Sequence, residues 1–350
     1  MSKYSIMLGS VKKMEDDLLG RLRAEVAGKN DDLSPEETAA LDPQVFNFAN
    51  NDMSEAEKTG YSNYSYWGST FRIFMKNKLA VATLIIIVIM LGFSIVRPYL
   101  PGQRDPARAN DHPVTGMPYS NQPPSREYWF GTNRIGQDLW ARIWSGTSTS
   151  LFIGFTVALI TSAVGIFVGI LWGYVRKLDF LFTELYNILD NIPTTIVLIL
   201  AAYVLNPSVQ TIIIAMCFTG WIGAARLIRN LVIIIRDQEF NIASRCLGTN
   251  LFRVMIKNLL PYLISVIMLR MALTIPGAIG SEIYLTYIGL GVPLNTPSLG
   301  NLLNEGRSVM MSPNLRYQLY APVVIIGILT ISFYLMGNAF ADAADPKNHV

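Results

Sequence analysis

The sequence predicts an all-α polytopic membrane protein with six transmembrane helices. Three observations carry that expectation. Hydrophobic residues make up 51% of the chain against 15% charged, and mean hydropathy is +0.35, too apolar for a water-soluble domain with a single core. Six apolar runs approach the roughly 20 residues that a bilayer core demands. Basic residues gather in alternate short loops, the asymmetry that orients spans in a membrane.

The elements follow in order. Residues 1–65 are polar and net acidic, and no short apolar segment of a cleavable signal appears among them, so a cytoplasmic N-terminal extension is expected. Within it, Ser34, Pro35 and Glu37 have the spacing of a helix cap, first-turn proline and capping box. Residues 66–78 form an amphipathic interfacial helix: Trp67, Phe71 and Phe74 recur at i, i+4 and i+7, with Arg72, Lys76 and Lys78 elsewhere round it. The spans are Leu79–Val96, Leu151–Tyr174, about Phe182–Leu205, Val209–Leu227, Leu259–Tyr284 and Leu319–Phe340. Glu184, Asp190 and Pro193 interrupt the third. Arg176 and Lys177 follow span two, and Arg226, Arg229, Arg236, Arg245, Arg253 and Lys257 lie between spans four and five. Both termini are then expected in the cytoplasm, with residues 97–150 and 285–318 on the far side. Residues 151–340 make a five-helix core containing the segment 237–261, and 341–350 a cytoplasmic tail.

Several chemistries find no support. A net charge of +3 spread along the chain argues against a nucleic-acid partner. Cys217 and Cys246 suit neither a disulfide framework nor a metal knuckle, and His112 and His349 have no zinc-ligand spacing, so no metal site is expected. No Gly-rich phosphate loop ends in Gly-Lys-Ser/Thr, and no catalytic triad or carboxylate pair appears, so no catalytic residue is assigned. Span two carries Gly165, Gly169 and Gly173 at intervals of four. That stripe reads either as a surface for close packing against a neighbouring helix or partner subunit, or as the ordinary abundance of glycine in membrane helices. Glu184, Asp190, Arg270 and Glu282 stand at membrane depth, where ionisable groups are costly. Asp190, Arg270 and Glu282 are carried as candidates for a translocation path or an intramembrane charge. Glu184, Asp190 and Glu282 also suit helix-end or interhelical roles, whereas Arg270 needs a carbonyl, a carboxylate or a watery cavity.

The stretch "NIASRCLGTNLFRVMIKNLLP", Asn241 to Pro261, is amphipathic and basic, where a short hairpin would be enough to reverse the chain. Ala243 and Ser244 leave a low surface on one short helix, Gly248 permits a reversal, and a second helix leads to Pro261. A partner's groove can hold such an element; an interfacial hairpin without a partner is the other reading. The segment resembles the cytoplasmic coupling motif of ABC-importer permeases, Glu-Ala-Ala, three residues, Gly, nine residues, an apolar position, one residue, then Leu-Pro. Ala243, Ser244, Gly248, Leu260 and Pro261 match it, while Ile242 stands for the Glu and Asn258 for the apolar residue. "WFGTNRIGQDLWARIWSGTSTSL" is similar to the external segment of the oligopeptide and dipeptide (OppC/DppC-type) branch, with Asn133 and Gln137 in place of Asp and Arg. "YLTYIGLGVPLNTPSLG" and "GNAFADAADPK" resemble two further segments of that branch, and the matches run in order from about Tyr66 to Lys347.

The resemblance implies a MetI-like permease fold with a cytoplasmic coupling-helix hairpin, in a bacterial plasma membrane. It implies an ATPase-coupling motif on Ala243, Ser244, Arg245, Gly248, Leu260 and Pro261. External docking or gating falls on Phe130, Gly131, Thr132, Asp138, Pro297, Ser298 and Gly300. The implied partners are a second homologous permease subunit, two cytoplasmic ATPases, an extracellular substrate-binding lipoprotein, membrane lipid and a peptide substrate. No cofactor is expected on this chain, since ATP and Mg²⁺ would sit on the ATPases. Related permeases carry nickel chelates or haem, which stay open as substrates. An ion-coupled secondary carrier would show internal repeats and broken helices at the midplane, and Pro193 and Pro276 alone do not make such a site.

Overall fold

The computed structural model describes residues 66–344, apart from Pro113 and Thr115. The expected cap at Ser34, the residues at the end of the "DPK" segment and His349 lie outside the described residues. The helices are α1 (Tyr66–Lys76), α2 (Lys78–Val96), α3 (Leu139–Tyr174), α4 (Arg176–Asp190), α5 (Thr194–Leu205) and α6 (Val209–Arg236). They continue as α7 (Glu239–Cys246), α8 (Leu251–Val254), α9 (Leu260–Tyr287), α10 (Leu299–Ser308) and α11 (Tyr317–Ala344). Among the described residues there is no named strand; two isolated bridges, Asp111 with Pro118 and Thr132 with Asp138, pin the loop before α3.

Among the described residues, five continuous helical runs are long and apolar enough to cross a bilayer, and α4 with α5, a pair bent by 74°, makes a sixth when taken as one span. Span three is therefore broken rather than straight. Pro193 offers no N–H and pushes Ile192 out of the helical region, so the chain turns at Asn191–Pro193. α4 buries none of its residues fully. α3 begins at Leu139, well ahead of the apolar run at Leu151, because Asp138 caps it by accepting from the Trp140 N–H at 3.3 Å. The last part of the expected loop 97–150 is thus helical.

Helix contacts are set by small residues. A Cβ on Gly165 would lie 2.5 Å from Ala224 Cβ, one on Gly169 2.6 Å from the Ala225 carbonyl oxygen, and one on Gly173 2.8 Å from Val232 Cβ. The glycine stripe of α3 is seated along α6, close enough that only glycine fits. Gly337 of α11 faces Ala272 of α9 in the same way, at 2.5 Å, and Gly154 of α3 faces Ile275 of α9 at 3.0 Å. α2 packs Ile87 and Met90 into the cluster that holds Leu329 and Phe333 of α11 and Leu151 and Ala158 of α3. α1 divides its aromatic stripe: Phe74 is buried against Phe340, ring centroids 5.7 Å apart, while Phe71 is exposed.

Candidate functional site

The segment from Asn241 to Pro261 folds as two helices joined by a tight reversal. Gly248 has φ +74° and follows the C-cap Leu247. Its N–H donates to the Arg245 carbonyl at 3.0 Å, and that of Thr249 donates to the Ser244 carbonyl at 3.1 Å, the paired bonds of a Schellman cap. The left-handed φ explains why glycine stands there. Asn250 then caps α8 by accepting from the Phe252 N–H at 3.2 Å. A π-helical turn, Met255–Leu259, joins α8 to α9, and the Leu260 N–H reaches back to the Met255 carbonyl. Pro261 is the physical cause: without an N–H, and with its ring crowding the preceding turn, it does not continue a regular ladder.

Two asparagines fasten this hairpin. Asn258 Nδ2 donates to Asn241 Oδ1 at 3.0 Å and to Ser244 Oγ at 3.1 Å, and Asn241 Nδ2 donates to the Ile235 carbonyl at 2.8 Å. Asn241 is fully buried, so α7 is held at once to the end of α6 and to the start of the long α9 run. Asp237 adds ion pairs to Arg236 (3.4 Å), Arg176 (3.8 Å) and Arg245 (3.9 Å), and Arg236 Nη1 donates to the Gly173 carbonyl at 2.5 Å. Outward, Leu247 is 85% and Phe252 61% exposed, with Ile242, Ala243 and Gly248 exposed beside them. Among the described residues, no atom beyond its immediate chain neighbours lies within 4 Å of a Cβ built on Gly248. The tip therefore presents an apolar surface fixed from behind by polar bonds.

At the other end of the bundle, Glu282 joins three helices. Its carboxylate accepts from Ser298 Oγ at 2.7 Å, Ser150 Oγ at 2.9 Å and, at 3.4 Å, Thr286 Oγ1. Ser150 also accepts from the Leu299 N–H at 3.0 Å, and Ser298 caps α10 through the Asn301 N–H at 3.1 Å. A Cβ on Gly300 would sit 2.5 Å from Glu282 Oε1. Pro297, Ser298 and Gly300 are buried within the chain. The neighbouring loop is tied down similarly. Arg142, 1% exposed, pairs with Glu305 at 2.6 Å and donates to Gln137 Oε1, which also accepts from Asn133 Nδ2 at 2.9 Å. The two departures from the resembling pattern, Asn133 and Gln137, thus bond to each other. Gly131 at φ +77° is enclosed by the Gln122 carbonyl and Tyr317, and Thr132 Oγ1 bonds the Tyr119 carbonyl. Asp138 is buried, and that burial lifts its carboxyl above the ordinary range although Arg104 and the Trp140 and Ala141 N–H groups oppose the shift. Phe130 packs edge-on against Trp140 at 5.1 Å. Gly131, Thr132 and Asp138 shape the loop from inside; Val114, Met117, Trp129 and Ile135 are exposed apolar side chains of the same loop.

Between these ends α3, α5, α6 and α9 line an open cavity of about 350 Å³. α9 contributes Arg270, Thr274, Gly277 and Ser281, a single face by their spacing. Asp190 is not among its lining residues; it accepts from Tyr186 OH and lies 4.0 Å from Arg226 Nη1.

A model of the family "binding-protein-dependent transport system inner membrane component" matches residues 165–350, and one for the "N-terminal TM domain of oligopeptide transport permease C" matches 65–124. The chain belongs to the binding-protein-dependent transport permeases. It is 34% identical to the oligopeptide transport system permease protein AmiD of Streptococcus pneumoniae, over 89% of this chain and 99% of that one. The dipeptide transport system permease protein DppC of Bacillus subtilis is 32% identical over 91% of this chain and 98% of its own length. The oligopeptide transport system permease protein OppC of the same organism is 34% identical over 84% and 93%.

In this transport permease the motif residues Ala243, Ser244, Arg245 and Gly248 come together at the hairpin tip, with Leu260 and Pro261 at its far root. Arg270 and Glu282, side by side as candidates in the sequence, separate: one faces the cavity and the other is enclosed by hydroxyls. Sequence reasoning missed Asn241, Ser150 and Glu305 as partners. Asn258 did carry a signal, a polar side chain at a motif position that is otherwise apolar.

Proposed function

We propose that the chain is a membrane subunit of an ATP-driven importer that takes up oligopeptides or dipeptides delivered by an external binding protein. The near full-length likeness to oligopeptide and dipeptide permeases carries this reading. The hairpin fits it: an apolar tip on a rigidly tied base is what a cytoplasmic ATPase groove needs in order to move α9. ATP and Mg²⁺ belong to two partner ATPases, and a second homologous permease subunit completes the membrane path. The chain sits in a bacterial plasma membrane with both termini cytoplasmic and with the Trp129–Leu151 and Leu290–Gly306 segments facing the binding protein.

The test uses Gly248, where an added Cβ meets none of the described residues beyond its chain neighbours. Gly248→Ala carries only the backbone cost of a left-handed φ, about 1–2 kcal/mol, and should assemble and import. Gly248→Arg adds bulk and charge at the docking surface, and peptide uptake should fall by about tenfold or more. Binding-protein capture of peptide should be unchanged in both. An arginine variant that keeps its ATPases and imports peptide at the parental rate would reject the hairpin as the coupling element. Purification of the tagged chain without any ATPase would reject the importer reading itself.

A further inference from the structure

Arg270 stands near the middle of the 37-residue helical run Leu251–Tyr287, the depth at which a charge is most costly. Among the described residues its guanidinium has no ion-pair or hydrogen-bond partner. The nearest carboxylate on its own helix, Glu282, lies twelve residues on, roughly 18 Å along the axis, and is already occupied by three hydroxyls. The guanidinium instead lies against α6 at Gly223, where a Cβ would come within 3.3 Å of Nη2, and it lines the cavity between α3, α5, α6 and α9.

The rest of that cavity is walled mainly by apolar side chains, Val157, Leu198, Met216 and Leu273 among them, with hydroxyls set between them. Thr161, Thr274 and Ser281 each donate their hydroxyl hydrogen to the carbonyl four residues back, at 2.7, 2.8 and 3.0 Å. Their oxygen lone pairs remain, so these groups act toward a guest as acceptors. A fourth hydroxyl, Thr219 Oγ1, is buried in the cavity wall without a partner. One exposed, unpaired cation beside a set of acceptors suits a solute with an anionic end and N–H donors along its body. A partner carboxylate needs the cation but leaves the acceptors unexplained.

We propose that Arg270 binds the C-terminal carboxylate of the peptide in transit, with the hydroxyls of α3 and α9 accepting from its N–H groups. This rests on the peptide-import reading above. The chain's contribution to specificity is then a preference for a free carboxylate, exercised after the binding protein has released its cargo.

The experiment uses the whole complex in proteoliposomes, with radiolabelled tri-alanine as the free acid and as the C-terminal amide, and uptake normalised to loaded binding protein. The parental complex should move the acid faster than the amide. Arg270→Gln should slow the acid by about tenfold, the scale of a lost charged hydrogen bond, and leave the amide unchanged, so that the preference disappears. Arg270→Lys should keep part of it. Equal movement of acid and amide by the parental complex, or equal slowing of both by Arg270→Gln, would overturn the inference. So would failure of Arg270→Gln to assemble with rescue by Arg270→Lys, which would make Arg270 a partner-subunit ion pair. A parental complex that moves neither peptide would instead refute the import reading on which the inference stands.

Discussion

Asn258 stands at the apolar position of the motif that this segment resembles, yet its amide bonds both Asn241 and Ser244 of α7. Asn258→Leu restores the apolar residue but strands the buried Asn241 oxygen, at about 1–3 kcal/mol. The expected outcome is faster amide hydrogen exchange in α7 and more ATP hydrolysed per peptide imported, with assembly intact; unchanged exchange would mean that the clamp carries no restraint. Glu282 is tied more heavily, because its removal leaves the hydroxyls of Ser150, Ser298 and Thr286 without their acceptor. Glu282→Leu should destabilise the permease by on the order of 3 kcal/mol. That would be read as a lowered melting temperature in detergent, and a variant melting with the parent would show that the node is dispensable.

At the scale of elements, the contact of α3 with α6 depends on three glycines in one line. Gly169→Leu would drive a side chain into the Ala225 carbonyl and Ile228, an overpacking cost of about 1–3 kcal/mol. Less folded permease should be recovered from membranes, and Gly92→Leu, which meets nothing within 4 Å, serves as the control. Equal recovery of the two variants would remove the packing argument. The broken pair α4 and α5 follows from Pro193, and the π-helical turn before α9 from Pro261. Both irregularities lie next to surfaces assigned a role: α5 lines the cavity and the π-helical turn carries Asn258. The hairpin itself is rigid at its base and bare at its tip, the combination required to transmit a push.

Over the whole molecule, the proposed orientation sets the hairpin tip and the loop before α3 on opposite sides of the membrane. Cysteines introduced at Leu247 and at Ile135 or Asn295, all exposed, should label from opposite faces once Cys217 and Cys246 are replaced by alanine. Labelling of Leu247→Cys and Ile135→Cys by the same impermeant reagent in sealed cells would refute the topology. Membrane class, the number of apolar runs and the glycine at the hairpin reversal were legible without a structure, since each depends on local properties: hydropathy over about 20 residues, or a backbone angle that only glycine adopts at little cost. Asp138 as a cap was within reach on the same grounds. The partners of Asn258, Glu282 and Arg142 were not. The bonds to Ser244, Ser150 and Glu305 join residues 14, 132 and 163 positions apart, brought together by helix packing that hydropathy does not encode. Sequence alone therefore determined that Arg270 and Glu282 were costly charges in a membrane helix. Only the tertiary structure decided that hydroxyls from α3, α9 and the α10 cap enclose Glu282, and that Arg270, on another face of the same helix, opens onto a cavity.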